Sequence, residues 1–138
     1  MTVKRMRKQT VPGCLILLLS LIVSTGSVSF LGPCVHEDGT FGACHWAARA
    51  LLGLGLLTGI LSLLAILLSK ARPGLYLSIA LECVLGMLMP GTLISLCKMS
   101  SMRCRAVMQP AMIILFAAAG LAALYGMIAC AREKKGRA

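Results

Sequence analysis

The sequence predicts an all-α integral membrane protein, a four-helix bundle that forms one domain over residues 1–138. Of its 138 residues, 59% are hydrophobic and 13% are charged, and the mean hydropathy is +0.91. A soluble domain has roughly 45–50% apolar and about 25% charged residues. Four apolar stretches of about 20 residues account for the excess, and each is long enough to cross a hydrocarbon core about 30 Å thick. Because backbone polar groups in lipid must be satisfied within their own segment, we expect all four stretches to be helices.

The predicted spans cover residues 14–32, 47–69, 75–96 and 111–130. The first follows a basic start and also resembles a cleaved signal peptide. Its hydrophobicity resumes through Phe30 and Leu31, which favours a retained, full-length span. In the third span, the pair Pro90-Gly91 predicts a kink, because proline removes a backbone donor and crowds the preceding turn.

Small residues in the second and fourth spans indicate where helices approach each other. Gly55 and Gly59 have GxxxG spacing, and Gly120 and Gly126 lie in an alanine-rich stretch. In lipid, helices associate through such small residues. The spacing favours packing within one chain, and a homodimer interface is the alternative.

Glu82 is the one acidic residue at membrane depth. An ionisable group there is costly unless it is protonated, paired or hydrated. Counting helical turns places Glu82 on one face with Gly86, so we expect it to point inward. Its depth matches that of Ser20 and Tyr125. We expect a neutral Glu82 hydrogen-bonded to one of these two, in preference to a proton or ion relay.

The distribution of lysine and arginine predicts that both termini are cytoplasmic. The tails and the middle loop carry ten basic residues, and the other side carries four, including Arg49 at the start of the second span. Cytoplasmic loops carry the excess in membrane proteins. The net charge of +10 therefore indicates contact with anionic membrane lipid. Nucleic acid is not an expected partner, because the basic residues are split among short tails without an aromatic platform.

This orientation places four cysteines on the outer side, two in each outer loop. An even set in an oxidising compartment indicates disulfides, and the simplest of three connectivities pairs Cys34 with Cys44 and Cys97 with Cys104. In each hairpin a polar or basic residue follows the second cysteine, as in Cys44-His45 and Cys104-Arg105. The two hairpins therefore resemble a parallel internal repeat.

Two chemical alternatives to structural disulfides remain open. A membrane thiol-disulfide oxidoreductase is one, although neither loop contains the Cys-x-x-Cys spacing that activates a thiolate. The other is Cu(I) handling, because the outer loops contain soft ligands. The alternative metal ligands are His36, Cys44, His45, Cys97, Met102 and Cys104. No catalytic residue, resident metal or cofactor is expected, since no hydrolase or nucleotide-binding motif occurs.

The outer loops also resemble those of a known family. The resembling positions are Cys34, residues 44–50 (Cys-His-Trp-Ala-Ala-Arg-Ala), residues 96–97 (Leu-Cys), residues 102–104 (Met-Arg-Cys) and residues 110–111 (Pro-Ala). In these the chain resembles the proteins grouped as domain of unknown function 4418, over nearly its whole length. Members carry threonine or a similar residue where this chain has Ala47, so hydroxyl chemistry is not expected there. The resemblance implies a bacterial integral membrane protein of unknown activity, with a possible role beside a transport system.

The prediction for function is a non-enzymatic accessory or interaction subunit of the bacterial cytoplasmic membrane. The sequence supplies abundant packing surface and little catalytic polarity. Its expected partners are membrane lipid and another membrane protein, such as a transporter subunit.

Overall fold

A computed structural model describes residues 2–29, 42–95 and 104–137. These ranges form four α-helices and contain no β-strand, which confirms the predicted all-α class. The helices are α1 (Thr2–Val28), α2 (Ala43–Leu67), α3 (Arg72–Leu88) and α4 (Gln109–Arg137). A short π-helical turn, Cys104–Met108, leads into α4.

The helices pack in the order of the chain. Helix α1 contacts α2, α2 contacts α3, α3 contacts α4, and α4 returns to contact α1. Residues 68–71 connect α2 to α3 directly. A connection this short makes α2 and α3 antiparallel neighbours.

Three segments within the described residues are long and apolar enough to cross a membrane. They are Thr10–Val28, Ala43–Leu67 and Arg105–Gly136. The predicted third span, residues 75–96, is not among these three segments. Its helix, α3, has 17 residues. At about 1.5 Å per residue it is about 25 Å long, shorter than a hydrocarbon core of about 30 Å.

Helix α3 ends where a kink was predicted. Pro90 has no backbone N–H, and Gly91 adopts a φ of 96°, a left-handed conformation that favours glycine. The chain then folds back on the helix end. The Leu93 N–H donates to the Leu88 carbonyl and the Ile94 N–H to the Met89 carbonyl, both at 3.1 Å. Because these returning amides occupy the last carbonyls, Pro90-Gly91 terminates the helix.

Large apolar side chains cover the outside of the described helices. Examples from each helix in turn are Leu18, Leu63, Leu81 and Leu121, which are all largely exposed. Soluble monomers rarely expose contiguous apolar surface of this kind. This surface, together with the three apolar helices, indicates a membrane protein.

Glycines lie where the helices approach most closely. A Cβ atom at Gly86 would lie 2.7 Å from the Phe116 ring, and one at Gly126 would lie 2.9 Å from the Tyr76 ring. Gly120 approaches Cys83 in the same interface between α3 and α4. Gly55 and Gly59 contact α1. All four predicted packing glycines therefore lie at contacts within the chain.

Candidate functional site

Buried polar side chains form a strip, which we call the polar strip, among α1, α2 and α3. Its members are Ser20, Ser24 and Ser27 from α1, Thr58 and Ser62 from α2, and Glu82 from α3. Within each helix the members are three or four residues apart, so they share one face. Polar groups buried in this way require hydrogen-bond partners.

Two glycines bring the α1 hydroxyls against α2. A Cβ atom at Gly55 would lie 2.7 Å from the Ser24 Oγ, and one at Gly59 would lie 3.0 Å from the Ser20 Oγ. Thr58 precedes Gly59 in α2, so Ser20 and Thr58 occupy neighbouring levels of the strip. The GxxxG pair therefore positions polar groups as well as helix backbones.

Glu82 is the acidic member of the polar strip, and its side chain is 9% exposed. Neither carboxyl oxygen has a hydrogen-bond partner among the described residues. The Thr58 hydroxyl faces this carboxyl group. It donates its proton to the Leu54 carbonyl at 2.8 Å instead. Glu82 therefore faces a hydroxyl oxygen whose proton is directed elsewhere.

Other hydroxyls of the strip make the same kind of bond. Ser20 donates to the Leu17 carbonyl at 2.7 Å, and Ser62 donates to the Gly59 carbonyl at 2.8 Å. Ser27 donates to the Ser24 carbonyl at 2.9 Å. Each hydroxyl has one proton and two lone pairs. These side chains therefore present oxygen lone pairs to their surroundings.

The predicted hydrogen bond between Glu82 and Ser20 or Tyr125 is wrong. Ser20 bonds its own helix, and Tyr125 is 61% exposed. The buried face of α4 runs through Ala123 and Gly126, and Tyr125 points away from it because successive residues turn by about 100°. The predicted depth of Tyr125 carried no information about its direction.

Arg72 and Tyr76 form a second buried polar group, which the sequence analysis missed. The Arg72 Nε donates to the Ala65 carbonyl at 2.9 Å, and its Nη2 donates to the Ile66 carbonyl at 3.1 Å. These carbonyls belong to the last turn of α2, where helical partners run out. The cation also lies at the negative end of the α2 dipole. The sequence did contain a signal for this contact, because an arginine near the C-terminus of a helix can donate to its last carbonyl groups.

Tyr76 joins three helices at the same end of the molecule. Its side chain is fully buried, its hydroxyl reaches Gly13 of α1, and its ring packs on Gly126 of α4. Tyr76, Ile79, Cys83 and Gly86 follow one another at helical spacing, and all are buried. That spacing could have identified Tyr76 from the sequence.

Only part of the predicted outer cysteine group lies within the described residues. Cys44 is a buried thiol in the first turn of α2, so the predicted pair of Cys34 and Cys44 is not supported. Cys34, Cys97 and the side chain of Cys104 lie outside the described residues, as do His36 and Met102. The second predicted pair, Cys97 with Cys104, is therefore untested.

His45 and Trp46 follow Cys44. Their rings meet edge to face with centroids 5.9 Å apart, and Trp46 is 64% exposed. An exposed tryptophan at a helix end suits the membrane interface. Where the structure is described, no three His, Cys, Asp or Glu side chains gather as metal ligands would.

An open groove of about 410 Å³ lies between α1 and α2. Its lining includes Ser24, Val28 and Leu52. Ser24 also belongs to the polar strip. The groove therefore meets the strip at Ser24.

The polar strip offers one carboxyl group and several hydroxyl oxygens. A family model described as Domain of unknown function (DUF4418) matches residues 16–130. No curated protein and no solved structure matches the chain. Because the family model covers most of the chain, including the whole polar strip, the chain belongs to the DUF4418 family.

Proposed function

We propose that this protein is a non-enzymatic accessory or interaction subunit of the bacterial cytoplasmic membrane. A four-helix bundle would anchor it, with both termini in the cytoplasm. Its partners would be anionic lipid and another membrane protein, such as a transporter subunit. The observation that carries this proposal is the excess of lysine and arginine in the two tails and around the start of α3.

Contacts with Tyr76 place the start of α1 and the end of α4 together. Gly13 and Gly126 both contact this side chain. The basic residues nearby in sequence are Lys4, Arg5, Arg7 and Lys8 of α1, Arg132, Lys134, Lys135 and Arg137 of α4, Lys70 before α3 and Arg72 at its first position. We call this the basic end. Helix α4 alone, with 29 residues, is about 43 Å long, so it can extend beyond the hydrocarbon core.

The positive-inside tendency supports a cytoplasmic basic end. Like charges gathered at one membrane face also attract anionic headgroups. The glycine faces already pack against helices of the same chain, between α1 and α2 and between α3 and α4. We therefore place the contact with a partner protein at the basic end rather than at the GxxxG face.

Cysteine labelling in intact cells tests the orientation. In a cysteine-free variant, Lys135→Cys should react with an impermeant maleimide only after the membrane is permeabilised. Ser95→Cys, at the opposite end of α3 from Arg72, is the matched control and should react without permeabilisation. Both positions are exposed. Labelling of Lys135→Cys in intact cells would contradict the proposed orientation.

Two measurements test the accessory role. Crosslinking in cells should retain one membrane-protein partner with the full chain, and neutralising the basic residues of α4 should weaken that complex. The matched control neutralises Arg49 and Arg105, which lie away from the basic end. Turnover of a quinone and a dithiol by the purified protein alone would contradict a non-enzymatic role.

A further inference from the structure

The starting observation is an unpartnered acid inside a membrane protein. Glu82 is nine-tenths buried, and neither carboxyl oxygen receives a hydrogen bond from the described residues. In the low-dielectric interior an unsatisfied polar group is costly, and acids at such positions usually serve a function. The surroundings of Glu82 indicate which ligand would satisfy it.

No charged residue of the spanning segments can neutralise Glu82. Residues 13–28 of α1, 51–67 of α2 and 111–130 of α4 contain no lysine, arginine, aspartate or glutamate. On α3, Arg72 is ten residues away, about 15 Å along the axis. The guanidinium of Arg72 donates to the last turn of α2. Cys83 is the titratable neighbour on the same helix.

The hydroxyl group that faces Glu82 belongs to Thr58, and it donates to the Leu54 carbonyl. What remains is a carboxyl group and hydroxyl oxygen lone pairs. Hard cations prefer such all-oxygen surroundings, and a proton satisfies the same carboxyl group.

We propose that Glu82 and Thr58 form a binding site for a small monovalent cation, at which a sodium ion and a proton exchange. When the sodium ion binds, the carboxylic acid releases its proton, and the total charge of the site stays unchanged. The Glu82 carboxylate supplies the negative charge, and the Thr58 hydroxyl supplies a neutral oxygen ligand. This inference goes beyond the accessory role and does not depend on the partner protein.

The polar strip meets the open groove between α1 and α2 at Ser24. Ser24 lines the open groove between α1 and α2, and its Oγ lies against Gly55. Thr58 is three residues from Gly55, less than one turn farther along α2. The groove therefore lies within about one helical turn of Thr58 along α2.

Modification by the apolar carbodiimide dicyclohexylcarbodiimide tests the site in the purified full-length protein. This reagent attacks protonated carboxyl groups in apolar surroundings, so bound sodium should protect Glu82. We expect sodium chloride to slow modification at least tenfold, relative to choline chloride at equal ionic strength. Glu82→Gln should abolish the modification at that position. Glu133→Gln, which removes an acid of the basic end, should leave the sodium protection unchanged.

The Thr58 hydroxyl is tested with a pair of variants. Thr58→Val should raise the sodium concentration needed for half-protection about tenfold, whereas Thr58→Ser keeps the hydroxyl and should restore protection. Lowering the pH should weaken protection by sodium, because protons compete for the same carboxylate. Equal modification rates in sodium and choline at every pH would overturn the proposal.

Thermal unfolding gives a second readout that separates ligand binding from misfolding. A ligand that binds the folded state raises the unfolding temperature as its concentration increases. Sodium should therefore raise the unfolding temperature of the wild type and of Glu133→Gln, relative to choline. It should not raise that of Glu82→Gln. A sodium response that survives in Glu82→Gln would also overturn the proposal.

Discussion

At the scale of single residues, the described glycines differ sharply in what surrounds them. A Cβ atom at Gly86 would lie 2.7 Å from the Phe116 ring, whereas one at Gly53 would meet nothing within 4 Å. Both residues lie inside helices. Because α3 and α4 approach each other at Gly86, a methyl group added there would press directly against the buried ring of Phe116.

We predict that Gly86→Ala destabilises the protein by about 1–3 kcal/mol, which is typical of overpacking a tightly packed core. The matched variant Gly53→Ala should leave stability unchanged or raise it slightly, because alanine favours the helix and its methyl group has room. Unfolding by increasing fractions of denaturing detergent would compare the two variants. Equal stability of both would show that Phe116 moves freely away from Gly86.

At the scale of helices, the end of α2 depends on the first residue of α3. Arg72 donates to the carbonyl groups of Ala65 and Ile66 from a buried position. A chain of four residues therefore connects two helices whose ends share one hydrogen-bonded cap. Helix-terminal carbonyls without such a partner are costly in an apolar environment.

Replacing Arg72 by methionine should destabilise the protein by about 1–3 kcal/mol, since two carbonyl groups at the end of α2 lose their donor. Lys70→Met removes an exposed charge from the same turn and should have a much smaller effect. Hydrogen exchange at the C-terminal turn of α2 would locate the change. Unaltered exchange there in Arg72→Met would show that the cap does not stabilise this helix end.

The end of α3 is the second feature at this scale. Pro90 cannot donate to the Gly86 carbonyl, and Gly91 continues in a left-handed conformation. The Gln109 amide then donates to the Pro90 carbonyl at 3.4 Å, which connects this turn to α4. A kinked helix would have continued past Pro90, whereas here the following amides turn back.

Pro90→Ala restores the missing N–H, so we expect α3 to gain about one turn and its helix content to rise. The control is Pro73→Ala. Pro73 lies in the first turn of α3, where a missing N–H breaks no helical bond. Circular dichroism and the number of slowly exchanging amides after residue 88 would measure the gain. Identical spectra for Pro90→Ala and wild type would show that Gly91 alone ends the helix.

At the scale of the whole molecule, the features that follow from length and periodicity were predictable. The all-α class, the membrane character and the inward direction of Glu82 required only apolar run lengths and helical spacing. The early end of α3 could not be predicted from the sequence. It depends on the N–H groups of Leu93 and Ile94, which donate to the carbonyl groups of Leu88 and Met89. The same holds for the exposure of Tyr125, which depends on how α4 faces its neighbours.

Charge also acts at this scale, because the basic end includes residues that are distant in sequence. The tails of α1 and α4 and the turn before α3 contribute nine lysines and arginines to it, whereas the guanidinium of Arg72 is buried at the end of α2. Each basic residue close to an anionic membrane surface contributes about 1 kcal/mol of attraction, and salt screens it. Several such residues acting together should select anionic lipid from a mixed bilayer.

We therefore predict that the purified protein, in bilayers that contain phosphatidylglycerol and phosphatidylcholine, enriches phosphatidylglycerol around its helices. Replacing Arg132, Lys134 and Lys135 by glutamine should reduce this enrichment several-fold, and raising the salt concentration should reduce it further. Replacing Arg49 and Arg105, away from the basic end, is the matched control and should have a smaller effect. Native mass spectrometry of retained lipids would measure the difference. If both sets of variants retain as much phosphatidylglycerol as the wild type, the basic end does not bind anionic headgroups, and its charge then acts only in setting orientation.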